Sequence, residues 1–494
     1  MSEHTDPESA LRARLAHVTS RYSQAEIARR LCRPLSTVNN YLHGTRVPAA
    51  LCADLVEHLG VNPAWLLAGE GEPFLADITP DAAATRDRLL ELVRVMRSLS
   101  RLRLGALAGR PDRKALREAT DALSEYENLR AELAGSFGRS LRELLGDAGR
   151  ALQSGEVTRA NGLLRAAVQL APLAGPGPEQ VELEHLLALS ARMTGNEEVA
   201  LAGNARAFRQ SLPLAVELGG DFYAYAYNYA RSLFVEQRPA QALDVCQVAL
   251  ALVPRLAETA PQRALVELAA GWALATQGKV LAGLVRMAAH AGDMPEALRA
   301  AIGEPRLVLT RLMAGVIEFE HALAAAARES HVAEMLAQWT IWSEDPAQLD
   351  AVFALLQRFR AGGEVGEERR FGVLGLISAF RDAAAGRLQR LPEPPAGEPA
   401  FERFNRLVMR TQALRLAGRE AAARKLMLLA RRELHALPQG VQPRALVLGA
   451  HYRSVLRLLP ARTGRRDGSL REEALRYFRA ATADGCQCFA SLAD

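Results

Sequence analysis

Apolar positions recur at steps of three and four residues along most of the chain, the period of a helix with one buried face. Ser23 is followed three residues later by Glu26, then by Ile27, Ala28 and Leu31, a capping box that opens a short amphipathic helix. A second short helix is expected over Leu35 to His43, stopped by Gly44 and then Pro48. Ile27, Leu31, Val38 and Tyr41 supply the core between the two, and small Ala28 lets them cross. Leu89, Leu92, Met96 and Leu99 continue the period within two amphipathic helices expected over 81–134, broken near Gly109-Arg110-Pro111.

From about residue 139 a longer period appears. Ala148, Ala160, Leu164, Ala167 and Pro172 follow one another at steps of 12, 4, 3 and 5, as do Ala230, Ala242, Cys246, Ala249 and Pro254. Ala188, Ala200, Asn204 and Ala207 form a weaker copy ending in Pro213, and Ala423, Met427 and Ala430 precede Pro438. A small residue mid-helix admits a close antiparallel neighbour, a second small residue lies on the returning helix, and Pro ends the pair. These segments resemble tetratricopeptide repeats, units of about 34 residues that stack as helix pairs.

Composition agrees with an all-α chain. Of 494 residues, 49% are apolar and 24% charged, and Ala and Leu are dense while Ile occurs only 6 times. The 58 Arg against 3 Lys read as coding bias and carry no functional weight. Five cysteines, at 32, 52, 246, 486 and 488, are too few and scattered for a disulfide framework, which suits a reducing cytoplasm. No long apolar run predicts a membrane span or a secretion signal.

Net charge is only +5, so distribution matters more than the total. Residues 11–50 hold seven Arg and one acid, or +6, whereas 1–10 hold three acids and 51–80 hold five acids with no Lys or Arg. The first 80 residues thus sum to −2 around a basic stretch.

The stretch from Ser23-Gln24-Ala25-Glu26-Ile27-Ala28 to Gly44, with Val47-Pro48 and Asn62-Pro63-Ala64-Trp65-Leu66-Leu67-Ala68-Gly69-Glu70-Gly71, closely resembles the Cro and phage-repressor class of helix-turn-helix DNA-binding domains. The resemblance covers only the first seventh of the chain. It implies five short helices, with Gln24 holding a DNA phosphate at the start of the first motif helix. It places Leu35, Ser36, Asn39 and Asn40 against base edges in the major groove, and Thr37, Thr45 and Arg46 against the backbone. The residue types suit those roles: an Asn amide pairs bidentately with adenine, and Leu35 can meet a thymine methyl. Cys32 stands where the family usually has Gly, and Pro34 restricts Arg33 to extended conformations, so the turn is expected to be reshaped.

The expected architecture is therefore all-α: a helix-turn-helix domain over 1–78, helices of a linker or dimerisation segment over 79–138, a tetratricopeptide-like α-solenoid over 139–390, and C-terminal helical repeats over 391–494. Gly- and Pro-rich stretches at 172–179, 361–367 and 391–399 interrupt the array, the last as a joint between blocks. In the repeat register, Tyr227, Asn228, Arg231 and Phe234 are candidates to bind a peptide or protein effector on the concave face, with packing between helices as the alternative for the tyrosines. A reader fused to repeats is similar in architecture to the peptide-sensing quorum regulators of bacteria.

The function expected is a cytoplasmic, sequence-specific transcription regulator, acting as a homodimer on double-stranded DNA. The alternative is a repeat-based scaffold whose DNA-binding fold is vestigial. No cofactor or metal is expected. The His residues lack metal-ligand spacing, no nucleophile or phosphate-loop motif occurs, and Cys486-Gln487-Cys488 lacks a second pair, so an enzyme is not expected.

Overall fold

A computed structural model describes residues 7–31, 33–43, 47–59, 61–62, 65–66, 73, 113–361, 367–388, 399–459 and 465–493. The seam Leu89 to Leu99, the break at 109–111, Cys32, Gly44, Thr45, Arg46 and most of the Gly- and Pro-rich stretches at 361–367 and 391–399 lie outside these residues. Among the described residues all regular structure is helical, and no helix is long and apolar enough to cross a membrane. They fall into two compact units, 1–186 and 187–494.

The first unit begins with α1 (Pro7–Arg21), α2 (Gln24–Arg30), α3 (Leu35–His43) and α4 (Ala49–Leu59). Ser23 caps α2 by accepting from the Glu26 N–H at 3.2 Å. The reciprocal half of the capping box gives way to an ion pair, since Glu26 Oε1 accepts from Arg30 Nη2 at 2.7 Å. The Pro34 carbonyl receives the Thr37 and Val38 N–H groups and starts α3. Leu15, Val18, Ile27, Ala28, Leu31, Val38, Leu51 and Leu55 form one buried core, with Tyr41 and Trp65 packed against it.

The helix α5 (Arg113–Gln153) is continuous over 41 residues, so residue 139, the expected start of the repeats, has no break in secondary structure. It is followed by α6 (Val157–Ala174) and α7 (Pro178–Met193). Pro172 lies inside α6, which continues two residues past it; the expected stop comes at Gly175, whose φ of 82° leaves the helical region.

The second unit continues with α8 (Glu197–Ser211), α9 (Gly220–Val235), α10 (Pro239–Leu252), α11 (Ala260–Thr276), α12 (Val280–His290) and α13 (Glu304–Met313). Then come α14 (Phe319–Ala326), α15 (Ser330–Ser343), α16 (Pro346–Ala361), α17 (Glu367–Ala384), α18 (Ala400–Leu416), α19 (Glu420–His435), α20 (Ala445–Leu458) and α21 (Arg465–Ala483). The small positions of the repeated spacing are buried in every copy: Ala148, Ala160, Ala188, Ala200, Ala230, Ala242, Ala249, Ala423 and Ala430 are all fully inaccessible.

A common turn joins many successive helices. The amide of the residue after the turn donates to a carbonyl five residues back, as in Glu156 to Ala151, Asn196 to Ala191, Lys279 to Leu274, Val316 to Arg311, Arg387 to Asp382, Arg419 to Leu414 and Cys486 to Ala481. This bond needs a left-handed residue before it, and Gly holds that place in all seven. The turn between α9 and α10 makes the same bond, Arg238 to Leu233, but its left-handed residue is Gln237 with φ 53°.

Candidate nucleic-acid interface and effector cavity

The two helices α2 and α3 present two different faces. Val38 is buried and Tyr41 packs on the core, whereas Leu35, Ser36, Asn39 and Asn40 are exposed at helical spacing i, i+1, i+4 and i+5. Leu35 is 51% exposed, an apolar side chain standing in water at the start of the helix. Thr37 is half-buried on the flank, and Gln24 is half-buried as the first residue of α2. Thr45 and Arg46 belong to the residues outside the description.

The Arg residues around this face are not all available to a ligand. Arg33 gives both Nε, at 2.9 Å, and Nη2, at 2.5 Å, to Asp54 Oδ2. Arg14 Nε donates to the Leu66 carbonyl at 2.8 Å, and Arg30 lies 4.9 Å from the Tyr22 ring centre besides pairing with Glu26. The +6 of residues 11–50 is thus partly consumed in the fold itself, while Arg29 is exposed on α2.

The second unit contains a cavity of about 400 Å³ walled by α11, α13, α15, α18 and α20. Trp272, Leu309, Met313, Trp342, Val408 and Leu446 contribute its apolar lining, while Gln237, Glu334, Gln338, Asn405, Gln412 and Arg444 contribute its polar groups. Trp342 is fixed from two sides, by the Arg453 guanidinium 4.2 Å from its ring centre and by Phe489 edge-on at 4.7 Å. Gly449 makes this possible, because a Cβ there would lie 2.6 Å from Phe489 Cζ and 3.2 Å from Trp342 Cζ3.

Behind Trp342, the buried Glu344 carboxylate gathers cations and an amide. It accepts from Gln412 Nε2 at 2.8 Å and pairs with Arg453 at 2.9 Å, with Arg415, and with Arg457 at 3.7 Å. Burial pulls the Arg453 guanidinium down to about 10, against the opposing pull of Glu344, so it stays charged at neutral pH. Removing Glu344 would leave buried cations unpaired, a large penalty in a site of low dielectric.

At another part of the lining the balance is reversed. Arg444 Nη1 donates to Gln338 Oε1 at 3.1 Å, and its guanidinium is held below its ordinary value first by burial and then by the like charge of Arg306. Arg306 is lowered by burial too, with Arg231 repelling it and the Tyr227 hydroxyl bonding to it. Arg306 also donates to the Ile302 carbonyl at 2.7 Å and lies 5.8 Å from the Trp272 ring centre. Among the described residues, no carboxylate forms an ion pair with Arg231, Arg306 or Arg444. All three are half-buried, crowded by protein yet reachable by water.

Two of the four residues expected to meet an effector join this cluster, namely Tyr227, which is buried, and Arg231. Asn228 is engaged within the fold, its Nδ2 donating to the Ala224 carbonyl at 2.9 Å and its Oδ1 accepting from Arg192 at 3.3 Å. Phe234 packs against the apolar core, and its carbonyl accepts from Gln237 Nε2 at 3.2 Å. Arg306 and Arg444 were not foreseen, because nothing local in their segments sets them apart from the other Arg residues.

No family model, no curated protein and no solved structure matches the chain.

Proposed function

We propose that the chain is a sequence-specific DNA-binding regulator whose N-terminal helices form a repressor-like helix-turn-helix, followed by a tetratricopeptide-like α-solenoid that binds an effector. The observation that carries this reading is the exposed face of α3, where Leu35, Ser36, Asn39 and Asn40 stand together in water while Val38 and Tyr41 anchor the helix from the other side. Asn and Ser are the types that read base edges, and Leu35 is an apolar group of the size that meets a thymine methyl. Gln24, Thr37, Thr45 and Arg46 supply the backbone contacts that fix register. The reader acts as a homodimer on paired half-sites about one DNA turn apart. The effector site includes Tyr227 and Arg231, next to the cavity of the second unit.

The test is a genomic binding profile of the full chain and of the double variant Asn39→Ala/Asn40→Ala. A bidentate Asn–adenine pair discriminates by roughly 1 to 3 kcal/mol, so losing two should lower affinity for a cognate site about thirtyfold or more. The thermal melt should stay unchanged, since both side chains are exposed. Undiminished occupancy at specific sites would favour the scaffold reading instead.

A further inference from the structure

We propose that the cavity of the second unit binds a small anionic amphiphile, a ligand with one apolar chain or ring body and a single anionic head such as a carboxylate. Its role as the effector rests on the regulatory reading above, whereas its binding to the cavity does not.

Size and lining set the body of the ligand. About 400 Å³ falls within the range of small-molecule sites. Fourteen of the twenty-one lining residues are apolar, so an extended peptide would press backbone amides against walls that cannot hydrogen-bond them. An alkyl chain or ring has no such groups, and Trp272 and Trp342 belong to the apolar wall it would meet.

Charge sets the head. Arg444 lines the cavity with its guanidinium bonded only to a neutral amide, and Arg306 and Arg231 add positive potential without a carboxylate to cancel it. A monoanion on Arg444 would relieve the repulsion among them and gain charge-assisted hydrogen bonds. Among the described residues Glu334, the one acid on the lining, forms no ion pair with Arg444. Gln412 is fully buried and its Oε1 has no donor, leaving an acceptor for a hydroxyl on the ligand body.

Backbone strain points to the same place. Among the described residues only Gln237 and Glu344 are non-Gly with positive φ, at 53° and 59°. Gln237 lines the cavity, and Glu344 holds the lining residue Gln412. Seven sibling turns use Gly where this one uses Gln237, whose carbonyl accepts from the Gln442 N–H at 2.7 Å close to Arg444 in sequence. Strain retained at two positions around one cavity marks a site whose side chains matter more than the cost of their backbone.

The probes are sodium dodecanoate and dodecan-1-ol, below micelle formation, titrated into the full chain and followed by tryptophan fluorescence and thermal shift. Dodecanoate should bind saturably and at least tenfold more tightly than the alcohol. Each shortening by two methylenes should weaken it about tenfold. Arg444→Met should abolish the preference for the anion while leaving the alcohol's affinity in place. Ala337→Trp, which fills the cavity, should remove both. If that variant fails to fold, the Arg444→Met comparison still decides.

Absence of saturable binding, equal affinity for acid and alcohol, retention of the preference in Arg444→Met, or binding of peptides alone would each overturn the proposal. Failure of the regulatory reading looks different: dodecanoate binds as expected, yet Asn39→Ala/Asn40→Ala leaves genomic occupancy intact.

Discussion

The exposed face of α3 and the cavity of the second unit place chemistry in opposite ways. On α3, the candidate groups Leu35, Ser36, Asn39 and Asn40 lie within six residues of chain, and helical periodicity turns them outward while Val38 faces the core. Around the cavity, the guanidinium groups come from positions 231, 306 and 444, carried by α9, α13 and the segment entering α20. The first arrangement depends on one short helix being formed; the second depends on many helices crossing at the right distances. Perturbing helix packing should therefore damage the cavity far more than the exposed face of α3.

The close crossing of α11 and α12 offers the largest test. A Cβ on Gly283 would lie 2.5 Å from the Gly271 carbonyl oxygen and 2.9 Å from the Ala275 nitrogen, both backbone atoms that cannot swing aside. Ala275 and Trp272, on the same helix, line the cavity. Gly283→Ala should cost about 3 kcal/mol or more, the upper end for overpacking, because α11 and α12 must separate. Hydrogen exchange should show lost protection across 260–290 and none lost in α1 to α4. Equal loss in both would break the comparison.

Acid should separate the regions next. His451 is buried between Phe404 and Tyr452, its Nε2 has no partner, and burial together with the charges of Arg431 and His435 pulls its pKa down to about 4. The folded chain therefore keeps His451 neutral, while the unfolded chain takes up a proton near pH 6.5. Stability contributed by the neutral form is complete above pH 6.5, falls as pH drops, and is fully lost below about 4. By pH 4.5 the loss should be about 2 to 3 kcal/mol. Urea melts of the second unit against pH should show this slope, and His451→Phe should flatten it. A slope unchanged in that variant would assign the acid sensitivity to other groups.

The same contrast explains what could be read in the chain before its structure. The expected helices over Ser23 to Leu31 and Leu35 to His43 rest on the Ser23 cap, the stop signals Gly44 and Pro48 and a three- and four-residue period, all local signals, and the structure has helices Gln24–Arg30 and Leu35–His43 there. The buried small residues of the repeated spacing were legible for the same reason, since close crossings demand them at fixed steps. Features that depend on competition were not. Glu26 had two donors in reach, the Ser23 amide and Arg30, and the charged one won. Pro172 looked like a stop, but the helix continues for two residues to Ala174. Gln237 fills a place where its siblings use Gly, and only the packing of the 442 segment on that turn reveals it. Arg306 and Arg444 lie 75 and 213 residues from Arg231, beyond any pattern a linear reading can use.

The smallest expected effect concerns the charge of α1 to α4. Seven Arg in residues 11–50 suggest up to seven phosphate contacts, but Arg33 gives Nε and Nη2 to Asp54, with each side chain about three-quarters buried. Breaking that pair by Arg33→Met should cost the domain about 1 kcal/mol, the scale of a partly exposed ion pair, read as a lower melting temperature of α1 to α4. Because Arg33 is already neutralised by Asp54, the variant should leave the slope of log affinity against log salt unchanged, when a true phosphate contact would remove about 0.9 from it. A slope reduced by that amount would mean that Arg33 exchanges Asp54 for DNA on binding, and that the ion pair seen here is a feature of the unbound chain alone.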